Sequence, residues 1–298
     1  MQYSRLGKSV LEVSKIGFGC MSLKGDAAAN DQLVKRALDL GVNYFDTADL
    51  YDNGRNEEIL GALLKPVRGQ VVLATKVGNQ MRTDGSGWDW NPRKAYILSA
   101  VEASLRRLQT DYIDLYQLHG GTMEDPIDET IEAFERLKEQ GKIRYYGISS
   151  IRPNVIREYV QRSEMVNVMM QYSLLDRRPE EESLELLRKH GISVVSRGAV
   201  AQGLLIDKTA KEYLGWLAPQ VAQAAEAIRQ VTPDGGSRAQ TAIQYVLQHQ
   251  AIASAVIGIR TIPQLEDAVA ALELTPLTVE SIELLHAAAP AQVYTEHR

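Results

Sequence analysis

Eight short apolar runs recur along this chain, at residues 15–18, 42–46, 71–77, 113–119, 143–149, 166–171, 193–197 and 255–258, and longer stretches separate them. Apolar positions at helical spacing occupy several of those stretches: 31–40, 57–64, 92–108, 127–139, 181–189 and 238–248. This alternation is the pattern of βα units wound around a parallel sheet. The punctuation agrees, with Gly41, Gly141 and Gly191 where helices end and Pro92, Pro126 and Pro153 where helices begin. Eight strands without a long linker predict an α/β fold, a (β/α)8 TIM barrel, as a single domain over 1–298. Residues 2–13 alternate weakly around Gly7 and Lys8 and predict an N-terminal β-hairpin closing the bottom of the barrel. Segments 78–91 and 207–237 exceed the scheme, and are expected as extra loops or helices at the face where the strands end.

Composition narrows the functional classes. With 45% hydrophobic and 24% charged residues, the 298-residue chain can bury a large core. A net charge of -5 with scattered Lys and Arg gives no footprint for nucleic acid. The N-terminal residues lack the apolar region of a secretory signal, and no stretch approaches the roughly 20 apolar residues of a membrane span. These features predict a cytoplasmic protein with a small-molecule partner and no membrane or nucleic-acid partner; an oligomer is compatible with them. The single cysteine, Cys20, excludes an internal disulfide and reads as buried filler. No His/carboxylate cluster stands at metal-ligand spacing, so no metal is expected.

In a barrel of this kind the ends of the strands collect the βα loops and form the active site. The second strand ends in Asp46, and Tyr51 follows in its loop. The third ends an apolar run on Lys76, where an amine is costly without a charged partner, and Asp46 on the neighbouring strand is the nearest candidate. The fourth ends on His119. An acid, a phenol, an amine and an imidazole from three successive βα junctions make a proton-transfer constellation. A free tyrosine has a pKa of about 10, so it acts near neutrality only if a cation stabilises its phenolate. Lys76 is expected to supply that charge, Asp46 to hold the ammonium, and His119 to orient substrate or join the proton relay. The other histidines, His190, His249, His286 and His297, fall at helix ends or in the last residues and read as solvated.

The stretches FDTADLY, VLATKVG, DYIDLYQLHG, GKIRYYGISS, MMQYSLLDR, AQGLL and AVIGIRTIPQLEDA follow one another in this order. On these motifs the chain resembles the aldo-keto reductases over nearly its whole length. The resemblance implies a barrel that binds a nicotinamide cofactor, usually NADPH, and reduces aldehydes and ketones, with Tyr51 as the general acid. It implies that Ser149 and Gln171 bond the nicotinamide carboxamide and that Arg197 and Gly198 lie at the ring. Arg197 stands where the common pattern has a stacking aromatic, a role a planar guanidinium can fill. Gly258, Arg260, Thr261, Gln264 and Asp267 match the region that grips the adenosine phosphate, and Gln202, Gly203 and Leu204 the loop over the pyrophosphate.

Gly19, Cys20 and Met21 would bring the first loop close to the cofactor. The surrounding GFGCMS lacks the third glycine and following helix of a dinucleotide fingerprint. Ser150 replaces a usual Asn, and Ala268 an Asn that often contacts adenine, so preference for NADPH over NADH rests mainly on Arg260. Trp88 and Trp90 are candidates to wall a substrate pocket, and Trp216 a further one. Two other readings stay open: an NADPH-binding regulatory subunit of the channel-associated kind, and a phosphate-binding aldolase-like barrel using Lys76 in a Schiff base.

Overall fold

The computed structural model describes residues 1–298. Numbered in chain order, the strands are β1 (Tyr3–Arg5), β2 (Glu12–Ser14), β3 (Ile16–Gly19), β4 (Tyr44–Asp46), β5 (Val72–Val77), β6 (Asn79–Met81), β7 (Trp88–Trp90), β8 (Ile113–Leu118), β9 (Ile143–Ser149), β10 (Asn167–Gln171), β11 (Ser193–Arg197) and β12 (Ile252–Gly258). The helices are α1 (Ala27–Asp39), α2 (Arg55–Leu64), α3 (Lys94–Leu108), α4 (Ile127–Glu139), α5 (Pro153–Arg162), α6 (Ser183–Lys189), α7 (Ala218–Val231), α8 (Arg238–Leu247), α9 (Ile262–Ala270) and α10 (Val279–Ala288).

Every residue of β5 and β8 is buried, because one face of each strand looks into the barrel and the other onto helices. This is why apolar residues stand on both faces of these strands, and why the charges among them are paired, Lys76 with Asp46 and Asp114 with Arg68. Eight strands, β3, β4, β5, β8, β9, β10, β11 and β12, close a parallel barrel in chain order. The closure pairs β12 with β3, setting Ala255 opposite Ile16 and Gly258 opposite Gly19. The fold is thus the expected (β/α)8 TIM barrel.

Two apolar layers hold it. The larger lies between strands and helices; in α4, Ile127, Thr130, Ala133, Phe134 and Leu137 form the buried stripe, and Phe134 stacks on Tyr146 of β9 at 5.3 Å. The smaller fills the barrel interior, where Tyr44, Val72, Leu115, Met169 and Val256 meet Leu6, Leu11 and Val13 of the N-terminal hairpin. The hairpin therefore plugs the bottom, as its sequence suggested. Gly7 makes the close approach possible: its φ is +56°, and a Cβ there would come within 2.2 Å of the Val166 carbonyl oxygen. Its N–H donates to Ser193 Oγ at the start of β11, at 2.7 Å.

The two excess segments have more structure than loops. Residues 78–91 include an antiparallel ribbon of β6 and β7, and residues 207–237 carry the 14-residue helix α7. The eighth barrel strand begins at Ile252, three residues earlier than its apolar run suggested, and α6 begins at Ser183 after a 3-10 turn over Arg178–Glu181. No helix is long and apolar enough to cross a membrane.

Candidate active site

Strand register brings the polar residues to one mouth. Gly19 pairs with Asp46, Asp46 with Ala74, and Lys76 with Gln117, so the ends of β3, β4, β5 and β8 lie side by side. Lys76 Nζ lies 2.9 and 2.7 Å from the two Asp46 carboxylate oxygens and 2.7 Å from the Thr47 carbonyl oxygen. Burial pushes the Lys76 ammonium pKa down, but the Asp46 charge, with help from Tyr51, outweighs it and holds the pKa above the usual lysine value. On Asp46 burial pushes the carboxyl up, and Lys76 and then Arg197 oppose that shift. An amine so held is no free nucleophile, which removes the Schiff-base reading.

Tyr51 opens a 3-10 turn, Tyr51–Gly54, in which Asp52, Asn53 and Gly54 have φ of +50°, +55° and +86°. Asp and Asn are among the few side chains that tolerate this left-handed region, and the turn reverses the chain between Tyr51 and α2. Lys76 Nζ sits 5.2 Å from the centre of the Tyr51 ring, and His119 meets that ring edge-on at 6.0 Å. Burial, followed by the charges of Lys76 and Arg197, lowers the His119 pKa to about 3. Its buried Nδ1 has no hydrogen-bond partner. The imidazole is therefore neutral at physiological pH, so it acts through a neutral ring rather than as a cationic acid.

Around His119 opens a cavity of about 580 Å³, lined among others by Trp88, Trp90, Ser149, Arg152 and Arg197. Trp90 lies against two glycines: a Cβ at Gly78 would strike its ring at 2.6 Å and one at Gly120 would approach to 3.3 Å. Its indole N–H donates to Asp125 at 2.9 Å. Both β6–β7 tryptophans thus line the cavity, whereas Trp216 does not: it is buried and donates to the Leu175 carbonyl oxygen at 2.9 Å. Arg197 Nη1 donates to Gln171 Oε1 at 3.0 Å, and Gln171 Nε2 donates to Asp176 at 3.0 Å and to Tyr213 at 3.3 Å.

The remaining residues matched to a cofactor divide by side-chain direction. Met21, Gly258, Arg260 and Thr261 are exposed, Gly198 is partly exposed, and a Cβ at Gly258 would meet nothing within 4 Å. Gln202 is exposed with φ +59°, and the stem of Lys208 lies over Gly203, 3.2 Å from where a Cβ would be. Cys20 and Leu204, by contrast, are buried in the core, so their side chains cannot reach a ligand at the mouth. Gly19 is buried as well. Asp267 is occupied within the helical layer: it accepts from Ser237 at 3.0 Å and Gln240 at 2.8 Å, tying α9 to α8. Gln264 is occupied locally: its side chain accepts from the Arg260 N–H while its own N–H donates to Thr261 Oγ1, which caps α9.

Sequence reasoning missed several groups. Asn56 is fully buried; it accepts from Thr47 Oγ1 at 2.6 Å and donates to the Cys20 carbonyl oxygen at 2.8 Å, clasping the first two βα loops together. Asp49, in the same loop as Tyr51, has its carboxyl pushed up to about 8, first by burial and then by the Glu57 charge, and its Oδ1 has no partner. Residues 294–297 line the cavity, with the His297 carbonyl oxygen accepting from Asn154 N–H at the start of α5. His297 is therefore part of the mouth. His249 and His286 are half-buried rather than solvated: His286 is 3.1 Å from the Tyr245 hydroxyl, and His249 packs edge-on to Tyr172. Their sequence gave only a position near helix ends.

Fold and site together define a parallel barrel with a phenol, an ion pair and a neutral imidazole converging at the C-terminal mouth of its strands. The aldo/keto reductase family model matches residues 15–290, and the chain belongs to that family of oxidoreductases. It is 50% identical to the Bacillus subtilis protein named "Uncharacterized oxidoreductase YqkF", with all of both chains covered. It is 35% identical to the NADH-specific methylglyoxal reductase of Escherichia coli, over 70% of each chain. Among solved structures, an aldo-keto reductase from Bacillus halodurans in its holo form superposes with a TM-score of 0.94 at 51% identity, covering 100% of this chain and 99% of the other. The apo form of that reductase gives 0.85 at 48% identity, with the same coverage.

Proposed function

We propose that this protein reduces an aldehyde or ketone with NADPH, Tyr51 serving as the general acid. The observation that carries the reading is Tyr51 set between a buried, ion-paired Lys76 and a neutral His119 beside an open cavity. The residues present suit a nicotinamide cofactor. Ser149 and Arg197 line the cavity and Gln171 bonds Arg197, supplying hydroxyl, amide and a planar cation for a carboxamide-bearing ring. At the far end, Arg260 is exposed just before α9, where a guanidinium and the positive end of the helix dipole favour a phosphate. Lys208 beside Gly203 adds a cation to the loop matched to the pyrophosphate.

A bound reduced nicotinamide would supply the hydride that the carbonyl carbon accepts. Tyr51 gives its proton to the carbonyl oxygen, so one hydride and one proton convert C=O to CH–OH. Lys76 stabilises the charge that develops on the phenol oxygen, and Asp46 fixes the ammonium in place. His119 donates a hydrogen bond from its neutral ring and orients the carbonyl. Trp88 and Trp90 narrow the approach and exclude water. NADPH is favoured over NADH through Arg260, while the NADH-specific relative at 35% identity leaves that choice to this chain's own residues.

The test is oxidation of NADPH by the purified protein across a panel of aldehydes and ketones. Turnover that follows carbonyl concentration supports the reading. Tight NADPH binding with no turnover across the panel would replace it with the regulatory-subunit reading.

A further inference from the structure

Arg152 is the cation for which the proposed reaction has no use. It is the N-cap residue of α5, and its guanidinium reaches back to donate to the Gly121 carbonyl oxygen after β8. It lines the same cavity as His119 and Trp90, and no carboxylate forms an ion pair with it. The cavity's other cations are already engaged or assigned. Arg178 is matched by Asp176, through two hydrogen bonds of 2.7 and 2.8 Å, and stacks on Tyr294 at 4.9 Å. Arg197 holds Gln171, on the side proposed for the nicotinamide. His297 is exposed at the rim with Glu296 beside it at 3.8 Å. Glu124, outside the cavity and fully exposed, feels the Arg152 charge but forms no ion pair with it.

Position separates Arg152 from the cofactor's phosphates. The exposed Arg260 follows β12, and β10 and β11 stand between that strand and β9, after which Arg152 comes. Arg152 faces instead the loops after β8 and β9 and residues 294–297, the side walled by the tryptophans. Two further cations act on this cavity: after burial, the charges of Lys76 and Arg197 depress the pKa of His119, while the lining carboxylate, Glu296, sits beside His297 at the rim. A partly buried guanidinium that forms no ion pair, in a cavity that also holds Arg197, is a receptor for a carboxylate, whose two oxygens match the guanidinium fork.

We propose that Arg152 binds a carboxylate on the substrate, so that the enzyme prefers small oxo-acids, carbonyl compounds bearing a carboxylate, over neutral carbonyl compounds of equal size. This rests on the reductase reading and names the substrate class of that same site. The carbonyl end meets Tyr51 and His119, and the acid end meets Arg152. Arg152 is thus a specificity residue, remote from the reacting atoms.

The experiment compares kcat/KM with NADPH for ω-oxo carboxylates of increasing length and for their methyl esters, in the wild-type protein, R152Q and R152K. The acid is expected to exceed its ester by about 10- to 100-fold at the best length, and R152Q to lower the acid-to-ester ratio by the same factor. R152K, with its charge but no fork, should fall between. Equal kcat/KM for acid and ester in the wild type, or a ratio unchanged in R152Q, would overturn the proposal. A purely structural role for the bond to Gly121 would lower both substrates together and leave the ratio fixed. No NADPH oxidation with either series, together with none across the neutral panel, would instead count against the reductase reading itself.

Discussion

Lys76 and Asp46 form an ion pair of 2.7 Å whose side chains are only 1% and 5% exposed. Two charges withdrawn this far from water depend on each other, because either one alone leaves an uncompensated charge in the interior. The pair sits at the ends of adjacent strands, β4 and β5, so the barrel itself fixes the separation. Through it the Tyr51 turn is coupled to the barrel wall.

Removing one partner should therefore cost stability as well as activity. Lys76→Met is expected to lower the unfolding free energy by about 3–5 kcal/mol, and the double variant Asp46→Asn with Lys76→Met to recover a large part of it. Urea denaturation of both variants checks this. Equal losses in the single and double variants would show that the pair is not coupled.

His119 carries a pH signature. Its pKa in the fold is about 3 against an ordinary value of 6.5, so the unfolded chain takes up a proton that the folded one refuses. Its stabilising contribution is complete above about pH 6.5 and is lost as pH falls from there toward 3, by up to about 1.4 kcal/mol per unit. His119→Gln should flatten that part of the stability profile. An unchanged slope between about pH 6 and 4 would contradict the assignment.

Asp49 acts in the opposite sense. Its folded pKa of about 8 lies above the ordinary 3.8, so its contribution is present below pH 3.8 and is lost as pH rises through 8. Asp49→Asn should stabilise the protein, with a gain that grows from about pH 4 to about pH 8 and then levels off. Denaturation midpoints at the two ends of that range measure it, and a gain independent of pH would point to packing instead of ionisation.

Arg260→Ala should raise the Kd for NADPH more than tenfold while changing that for NADH by less than about threefold, as expected for loss of one charge-assisted phosphate contact. Fluorescence titration of each cofactor distinguishes the cases. Equal effects on the two would move the phosphate contact elsewhere, with Lys208 the next candidate.

What the sequence disclosed follows from where each signal originates. Lys76 was legible because a lysine closing an apolar run needs a partner, and His119 because it closed the next strand. The barrel was legible because strands largely buried on both faces carry short, mainly apolar runs that alternate with segments of helical period. The side-chain directions of Cys20, Leu204 and Asp267 were not legible, because position along a motif does not give direction: the first two pack into the core and the third bonds Ser237 and Gln240. Asn56 and Arg152 were missed because their meaning comes from long-range contacts, to Cys20 and to Gly121, that no local pattern announces. The contact between half-buried His286 and the Tyr245 hydroxyl was missed for the same reason.

The central claim is that Tyr51 delivers the proton to the carbonyl oxygen, and turnover of Tyr51→Phe tests it most directly. With an aldehyde that the wild-type protein reduces, kcat should fall about 10²- to 10⁴-fold while the Kd for NADPH stays within about threefold. A variant that binds NADPH normally and turns over at the wild-type rate would contradict the account.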